Sequence, residues 1–148
     1  MKVLTEIPAS DQTAPVTHTF DLPLGLIGFA GYTRAELLYL PDHLPFLWLR
    51  LHGPKDAVHF VVIEPGTVIP GYAPELFDED AAGIGLTDPA DAMVLNIVTM
   101  ARQRPLEATV NLVGPIIVNR RTRQARQLVI ANYSTHSAHH PLVEAPEL

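Results

Sequence analysis

The stretch His59-Phe60-Val61-Val62-Ile63-Glu64 carries the strongest strand signal in the chain. β-Branched and aromatic side chains favour strands, and the Pro65-Gly66 pair that follows predicts the end of the strand. A second apolar run, Phe46-Leu47-Trp48-Leu49-Arg50-Leu51, lies a short distance upstream. Because residues 51–56 contain Gly and Pro, the two runs are predicted to form a hairpin with a longer loop.

Short apolar runs between Pro and Gly residues recur on both sides of this hairpin. The chain has 14 Pro and 9 Gly, which interrupt helices and end strands. Residues 24–29 contain glycines and are predicted to form a bend or a bulge. A short helix is predicted within residues 74–83, with Asp78 as its N-cap and Gly83 as its stop. Further strands are predicted at residues 18–22, 36–40, 93–100, 107–112, 115–119 and 127–131, with 119–126 as the hairpin tip that joins the last two.

About eight short strands with at most one short helix predict an all-β fold, a barrel or a sandwich. We favour a small antiparallel β-barrel, because closing the sheet removes exposed edges. A length of 148 residues with 47% hydrophobic residues suits one domain that spans residues 1–148. Residues 1–15 and 134–148 are expected to be loose terminal segments.

The composition excludes several classes of protein. Cysteine is absent, which rules out a disulfide scaffold and thiolate metal sites. No run of about 18 apolar residues occurs, so we expect no membrane span and a cytoplasmic location. The net charge of −6 argues against sequence-independent binding to nucleic acid, whose phosphates require a cationic surface.

The charges are unevenly distributed along the chain. No Lys or Arg occurs between Lys55 and Arg102, where many acidic residues fall, whereas residues 102–126 are rich in arginine. This pattern fits two ordinary solvated faces. It also fits a polarised surface that steers a charged protein partner.

Several segments, in order from about Phe20 to Leu142, together resemble the flagellar assembly factor family FliW. The resemblance rests on five groups of residues: a glycine-phenylalanine turn (Gly28, Phe29), paired central strands (Phe46, Trp48, Glu64, Pro65), a following tyrosine (Tyr72) with an acidic stretch, the segment 109–127 with Asn111, Pro115 and Asn119, and a tail with Tyr133 and residues 139–142. The chain departs from the family pattern at Ala30, at Arg50-Leu51 and at Ala125.

The resemblance implies a function in protein binding. Members of the family bind flagellin in the cytoplasm, and they also bind the RNA-binding regulator CsrA, which relieves the repression of flagellin translation. Flagellin and CsrA are therefore the expected partners, and no cofactor, membrane, nucleic acid or small-molecule substrate is expected. The departures leave open whether this chain has kept both partnerships.

The acidic run Glu75, Asp78, Glu79 and Asp80 is the first candidate for partner contact. It fits a solvated loop, but a basic RNA-binding partner would be attracted by carboxylates on a surface that lacks cations. Arg120, Arg121 and Arg123 form a second candidate surface. RNA binding through these arginines alone is not favoured, because no aromatic residues are interleaved with them for stacking on bases.

The remaining candidates are interpreted as structural. Phe46 and Trp48 share one face of a strand and are predicted to pack in the core, with an exposed binding aromatic as the alternative. Asn111 and Asn119 are predicted to satisfy backbone groups at strand ends. The three histidines 136, 139 and 140 have no standard metal-site spacing.

Catalysis has no support in the sequence. Serine occurs only near the two ends, at positions 10, 134 and 137, and no nucleophile elbow or phosphate-binding loop is present. The alternative function is a ligand-binding module or enzyme that uses the mouth of the barrel, which requires a pocket with convergent polar groups. The polar strand residues available for it are Asn96, Thr99, Thr109 and Asn111.

Overall fold

Seven strands close into a barrel, and two more extend the sheet from one of them. The computed structural model describes residues 1–3, 5, 16–66, 68–100 and 108–142. Within these residues the strands are β1 (Val16–Asp21), β2 (Arg34–Tyr39), β3 (Leu47–His52), β4 (Ala57–Ile63), β5 (Ala92–Met100), β6 (Ala108–Val110), β7 (Ile116–Asn119), β8 (Gln124–Gln127) and β9 (His140–Leu142). They are accompanied by a short helix, α1 (Asp78–Gly83), and by three 3-10 turns at Pro41–His43, Pro89–Asp91 and Tyr133–Thr135.

The ring runs in the order β4-β3-β2-β1-β8-β7-β5 and closes through the pairing of β4 with β5. In that pairing Val61 lies opposite Val98 and Ile63 lies opposite Asn96. The strand pairs are antiparallel except at the contact of β1 with β8, which is parallel. Strands β6 and β9 continue outward from the end of β5. The prediction of a small β-barrel with at most one short helix is confirmed for the described residues.

The interior of the barrel is filled by side chains from all seven ring strands. Inward-facing residues alternate along each strand, as in β3, where Leu47, Leu49 and Leu51 are buried between exposed neighbours. The interior core consists of Phe20, Leu22, Leu26, Ala35, Leu37, Tyr39, Leu47, Leu49, Leu51, Val62, Leu95, Ile116, Val118 and Ala125.

A second core lies outside the ring, against the outer faces of β5 and β7. Val94, Val98 and Ile117 alternate with interior residues, so they point outward into this second core. Residues of the segment 69–86, which contains α1, cover them. The segment 69–86 therefore forms a further layer that covers the barrel on the side of β5 and β7.

The predicted face of β3 is wrong. Trp48 was expected in the core, but its side chain is 37% exposed, and Leu47 and Leu49 on either side of it are buried. The six residues from Phe46 to Leu51 are apolar apart from Arg50, so hydrophobicity alone does not show which alternate residues face the interior. Arg50 does, because its charged group must face out and Trp48 shares its face.

The last strand also differs from its prediction. Residues 127–131 were expected to form it, whereas β8 comprises Gln124–Gln127. The chain reverses within residues 120–123, because Arg123 adopts a left-handed backbone with φ of 62° and the side chain of Asn119 accepts hydrogen bonds from the turn. The family that the sequence resembles has a glycine in this hairpin where Ala125 stands here, and the left-handed residue of this hairpin is Arg123.

The terminal segments are more ordered than expected, as far as the structure describes them. Lys2 forms a β-bridge with Glu75, and β9 pairs with β6 so that Leu142 lies opposite Ala108. The added strand covers an edge of β6 that would otherwise be unpaired. The rest of the predicted loose segments, residues 4, 6–15 and 143–148, lies outside the described residues.

The two sides of β3 predict unequal effects of truncation. We expect Leu49→Ala to lower the free energy of unfolding by about 2–5 kcal/mol, because it leaves a cavity in the barrel interior. Trp48→Ala, on the solvent side, should cost about 1 kcal/mol. Urea denaturation of both variants measures the difference. Equal losses would mean that Trp48 belongs to the core.

Candidate protein-binding surface

The acidic run lies on a segment that the side chain of Asn132 holds in place. Its amide oxygen accepts a hydrogen bond from the Glu75 N–H at 2.9 Å, and its amide nitrogen donates to the Ala73 carbonyl at 2.9 Å. The Ala131 N–H donates to the Glu75 carbonyl at 2.6 Å. These bonds join residues more than fifty positions apart and fix the approach to α1.

The first residues of the chain pair with the same segment from the other side. The Met1 nitrogen donates to the Leu76 carbonyl at 2.7 Å, and the Leu76 N–H donates back to the Met1 carbonyl at 2.8 Å. The Lys2 ammonium lies 4.0 Å from a Glu75 carboxylate oxygen. Glu75 therefore has a cationic neighbour, and Leu76 is buried.

Helix α1 begins one residue earlier than predicted. Phe77 occupies the N-cap position in an extended conformation and makes no side-chain cap, so Asp78 is the first helical residue and not the N-cap. The three acidic residues Asp78, Glu79 and Asp80 all fall in the first turn, where negative charge is favourable. The helix is confined to residues 78–83 because the preceding residues are committed to the bridge with the chain start.

The acidic residues differ in their availability to a partner. The side chain of Asp78 is 99% exposed, although one of its oxygens lies 3.7 Å from the Met1 ammonium, and Glu79 is also exposed. Asp80 is mostly covered, and one of its oxygens lies 3.9 Å from the Arg126 guanidinium on β8. This ion pair attaches α1 to the barrel. Asp78 and Glu79 are thus the carboxylates that face outward.

Two exposed apolar residues adjoin these carboxylates. Phe77 is 45% exposed and Val129 is 46% exposed. The segments that carry them run antiparallel, because residue 131 bonds to Glu75 while residue 126 contacts α1. The segment that carries Val129 therefore runs beside the segment that carries Phe77. We define the α1 surface as Glu75, Phe77, Asp78, Glu79 and Val129.

The arginines of the second candidate surface mostly bind their own chain. The Arg121 guanidinium donates to the Gly85 carbonyl at 3.2 Å and lies 3.7 Å from an Asp91 oxygen. Arg123 supplies the left-handed turn, and its guanidinium reaches the Thr19 carbonyl at 3.5 Å. Arg120 is exposed. All three arginines are nevertheless exposed, so the hairpin contacts its own chain and also presents cations to solvent.

The two asparagines do what was predicted of them. The Asn111 side-chain oxygen accepts from the N–H groups of Val113 and Gly114 at 3.0 and 2.9 Å. The Asn119 oxygen accepts from the Arg121 N–H at 3.0 Å, and its amide donates to the Ile84 carbonyl at 2.9 Å. Both residues tie turns at strand ends, which confirms the structural interpretation.

The other motif residues are also structural. Gly28 has a φ of 90°, which favours glycine, and the Phe29 ring packs edge-to-face on Phe60 at 5.3 Å. Pro65 and Pro115 are buried, and their carbonyls accept backbone hydrogen bonds. Phe46 is half-buried against the outer core.

Tyr72 is the centre of a buried polar network beneath residues 111–112. Its hydroxyl donates to the Leu112 carbonyl at 2.7 Å and accepts from the Asn96 amide at 3.2 Å. Burial raises the pKa of Tyr72 to about 12. The His136 ring packs edge-on against Tyr72 at 5.1 Å, so this histidine is part of the packing.

The half-buried carboxyl of Glu64 lies beside the Tyr39 hydroxyl. The Tyr39 hydroxyl donates to Glu64 at 2.5 Å, and the Met93 sulfur lies 4.0 Å from the same hydroxyl. Burial raises the pKa of Glu64, although the hydrogen bond from Tyr39 and the charge of Arg120 oppose that shift. Burial and the neighbouring carboxylate also raise the pKa of Tyr39 well above its usual range.

Comparison with known proteins agrees with the residues described above. A sequence model of the FliW protein family matches residues 4–142. The chain is 37% identical over 120 residues to the flagellar assembly factor FliW of Natranaerobius thermophilus, covering 81% of this chain and 78% of the relative.

The chain belongs to the FliW family. A second relative, the flagellar assembly factor FliW of Leptospira biflexa, is 33% identical over 125 residues, covering 84% of this chain and 80% of the relative. A crystal structure of the flagellar assembly factor FliW superimposes with a TM-score of 0.72 at 29% identity, covering 84% of each chain. Flagellar assembly is therefore the functional context of this chain, and protein partners are implied.

The departures from the FliW pattern are accommodated in the fold. Ala125 lies in β8 and is buried in the barrel interior, while Arg123 takes the left-handed position of the hairpin. Arg50 faces outward, where its Nε–H donates to the His59 ring at 3.0 Å. Ala30 lies in an exposed turn. None of the three disturbs the barrel.

The polar strand residues proposed for a barrel-mouth site do not line the interior of this FliW barrel. Asn96 lies on the outer-core side of β5, where its amide donates to the Asn111 carbonyl at 3.0 Å. Thr99 and Thr109 pair across β5 and β6, beyond the ring. A depression of about 300 Å³ is lined by Thr19, Arg34, Ala35, Glu36 and His52, on the outside of the barrel.

Two further features are absent from the described residues. No group of three or more His, Cys, Asp or Glu side chains is arranged to hold a metal ion among them. No described helix has both the length and the apolar character needed to cross a bilayer.

The half-buried carboxyl of Glu64 predicts that the stability of Glu64→Gln and the stability of the original chain depend differently on pH. Because burial raises the folded-state pKa of Glu64 above its ordinary value of 4.5, this group destabilises the fold as the pH rises through that shifted pKa. We expect the free energy of unfolding of Glu64→Gln, relative to the original chain, to increase between about pH 4 and about pH 7. Urea denaturation across that range measures it.

Glu36→Gln is the matched control. The hydrogen bond from His52 lowers the pKa of Glu36, so its stabilising effect is lost as the pH falls through that lowered pKa. The control should not gain stability relative to the original chain as the pH rises. If the free energy of unfolding of Glu64→Gln had the same dependence on pH as that of the original chain, burial would not raise the pKa of Glu64.

Proposed function

We propose that this chain is a binding regulator that takes a CsrA-type RNA-binding protein on the α1 surface and thereby relieves repression of flagellin translation. It binds flagellin in alternation with the regulator, so free flagellin lowers the amount of chain available to the regulator. The chain binds both partners in the cytoplasm. The mechanism requires two binding equilibria and no chemistry.

The observation that carries the proposal is the exposed Phe77 beside two outward-facing carboxylates. An exposed aromatic ring supplies apolar area, which dominates the affinity of protein interfaces. Asp78 and Glu79 supply negative charge, which speeds the encounter with a basic partner and opposes the approach of RNA phosphates. Val129 extends the apolar area on the neighbouring segment.

The charge distribution also favours a basic partner at the α1 surface. The chain has a net charge of −6, and no Lys or Arg lies between Lys55 and Arg102 in the sequence. The acidic residues of the α1 surface belong to this cation-poor part of the chain, although Lys2 lies beside Glu75 and the Met1 ammonium lies 3.7 Å from Asp78. A basic protein surface therefore meets an attractive field when it approaches α1.

A titration of the chain into CsrA, with and without flagellin, tests the proposal. We expect saturable binding that flagellin reduces. The double variant Asp78→Asn, Glu79→Gln should weaken CsrA binding about tenfold, mainly through a slower association rate. Phe77→Ala should weaken it by a similar factor through faster dissociation. Asp80 is left unchanged, because it pairs with Arg126.

The matched control removes two charges elsewhere, in Asp42→Asn with Asp56→Asn. Asp42 is exposed, and Asp56 accepts a hydrogen bond from the Tyr32 hydroxyl that asparagine can also accept. This control should bind CsrA like the original chain. Equal weakening in both double variants would remove the α1 surface from the proposal, and no binding to either partner at micromolar concentration would remove the proposal itself.

A further inference from the structure

A second surface on the barrel has the features of a binding groove. On the outer face of the ring, Leu38 lies opposite Trp48, and Trp48 lies opposite Val61, so an apolar row crosses β2, β3 and β4. Outward positions of a strand are normally polar. A depression of about 230 Å³ lies at this row, lined by Leu38, Leu40, His43, Trp48, Arg50 and His59.

The apolar side chains of this groove are not needed to build the described cores. Leu38, Leu40 and Trp48 are among the residues of neither the interior core nor the outer core. Trp48 is 37% exposed, and the two leucines are half-buried. The exposed Trp48 and the two half-buried leucines therefore leave apolar area that is available to a partner.

The rim of the groove presents hydrogen-bond donors. The Trp48 Nε1–H donates to His43 Nδ1 at 2.9 Å, so the proton of a neutral His43 ring is on Nε2. The Arg50 Nε–H donates to His59 Nε2 at 3.0 Å, so the proton of a neutral His59 ring is on Nδ1. Both rings therefore have their accepting nitrogens occupied and an N–H left over.

Carboxylates are absent from the described residues that line the groove. The adjacent Glu36 lies in the next row, where one oxygen is 2.8 Å from His52 Nε2 and 3.6 Å from the Arg50 guanidinium. Glu36 thus neutralises part of the charge of Arg50 but adds no acceptor to the groove. An apolar floor with a donor-only rim complements a ligand that has an aliphatic group beside a carboxylate.

We propose that this groove, on β2 to β4, binds a protein segment that presents an aliphatic side chain next to a carboxylate. The aliphatic group enters between Leu38, Leu40 and Trp48, and the carboxylate accepts from Arg50 and the imidazole N–H groups. In the ring, β1 and β2 separate β3 from β8, against which α1 is attached. This site is therefore distinct from the α1 surface and goes beyond the proposed function.

The chain contains one tryptophan, so the emission of Trp48 reports directly on the groove. The probes are two synthetic amphipathic peptides with leucines at helical spacing. One peptide has glutamate, and the other has lysine, at the positions that leucine does not occupy. We expect the glutamate peptide to shift Trp48 emission saturably and to bind about tenfold more tightly than its lysine twin. The opposite preference, or no shift with either peptide, would overturn the proposal.

Variants separate the roles of charge and apolar area. Arg50→Gln should remove most of the preference for glutamate, and Leu38→Asn should weaken binding of the glutamate peptide about tenfold. Arg34→Gln removes the same charge from a neighbouring position on β2, and Leu24→Asn alters an exposed leucine in a loop. Both controls should bind like the original chain, and losses equal to those of the groove variants would contradict the site.

Two further measurements test for a second copy of the chain in the groove and for independence from the α1 surface. If Trp48 emission shifts with protein concentration alone, the groove is occupied by a second copy of this chain and the proposal fails. The double variant Asp78→Asn, Glu79→Gln should keep the preference for the glutamate peptide, because the α1 surface is elsewhere. This arm distinguishes failure of the groove from failure of the proposed function.

Discussion

The pairing of β4 with β5 is the constraint on which the rest of the structure depends. Residues 61–63 are strongly β-forming, and Val61 and Val62 pair on one side with β3. The contact of residues 61–63 with residues 96–98 converts a curved sheet into a ring. Closure turns the alternation of each strand into an inside and an outside. It leaves an interior that leucine, isoleucine, valine and phenylalanine side chains fill. A barrel of this kind has only its outer surface available for function.

The outer surface is divided by what covers it. Against β5 and β7 lies a second core, fixed by the Asn96–Tyr72–Leu112 network and by the side chain of Asn132. This layer carries α1 and positions Phe77 beside its carboxylates. On the outer face of β2 and β3, Trp48 remains exposed above a donor-rich rim. The two surfaces have opposite electrostatic character, which suits two kinds of partner.

Local sequence patterns predicted the strands well, because β-branched runs between Pro and Gly determine them. Seven of the strands lie within about two residues of their predicted positions. The errors have physical causes that local patterns do not contain. The face of β3 depended on Arg50, the only charged residue in an apolar run. The hairpin before β8 depended on Arg123 in a left-handed conformation that glycine usually adopts. Phe77 and β9 depended on partners far along the chain, Asn132 and β6. The acidic candidates were found from charge and from the family resemblance, but their exposure required the fold.

Native-state hydrogen exchange at the closure tests the central claim most directly. If the ring is closed and filled, the amides of residues 61–63 and 96–98 exchange only through global unfolding, as slowly as those of β3. Their exchange should then follow the full free energy of unfolding measured with urea. Rapid exchange at these amides, with β3 still protected, would show that β4 and β5 separate in the native state. The barrel would then be an open sheet with an accessible interior.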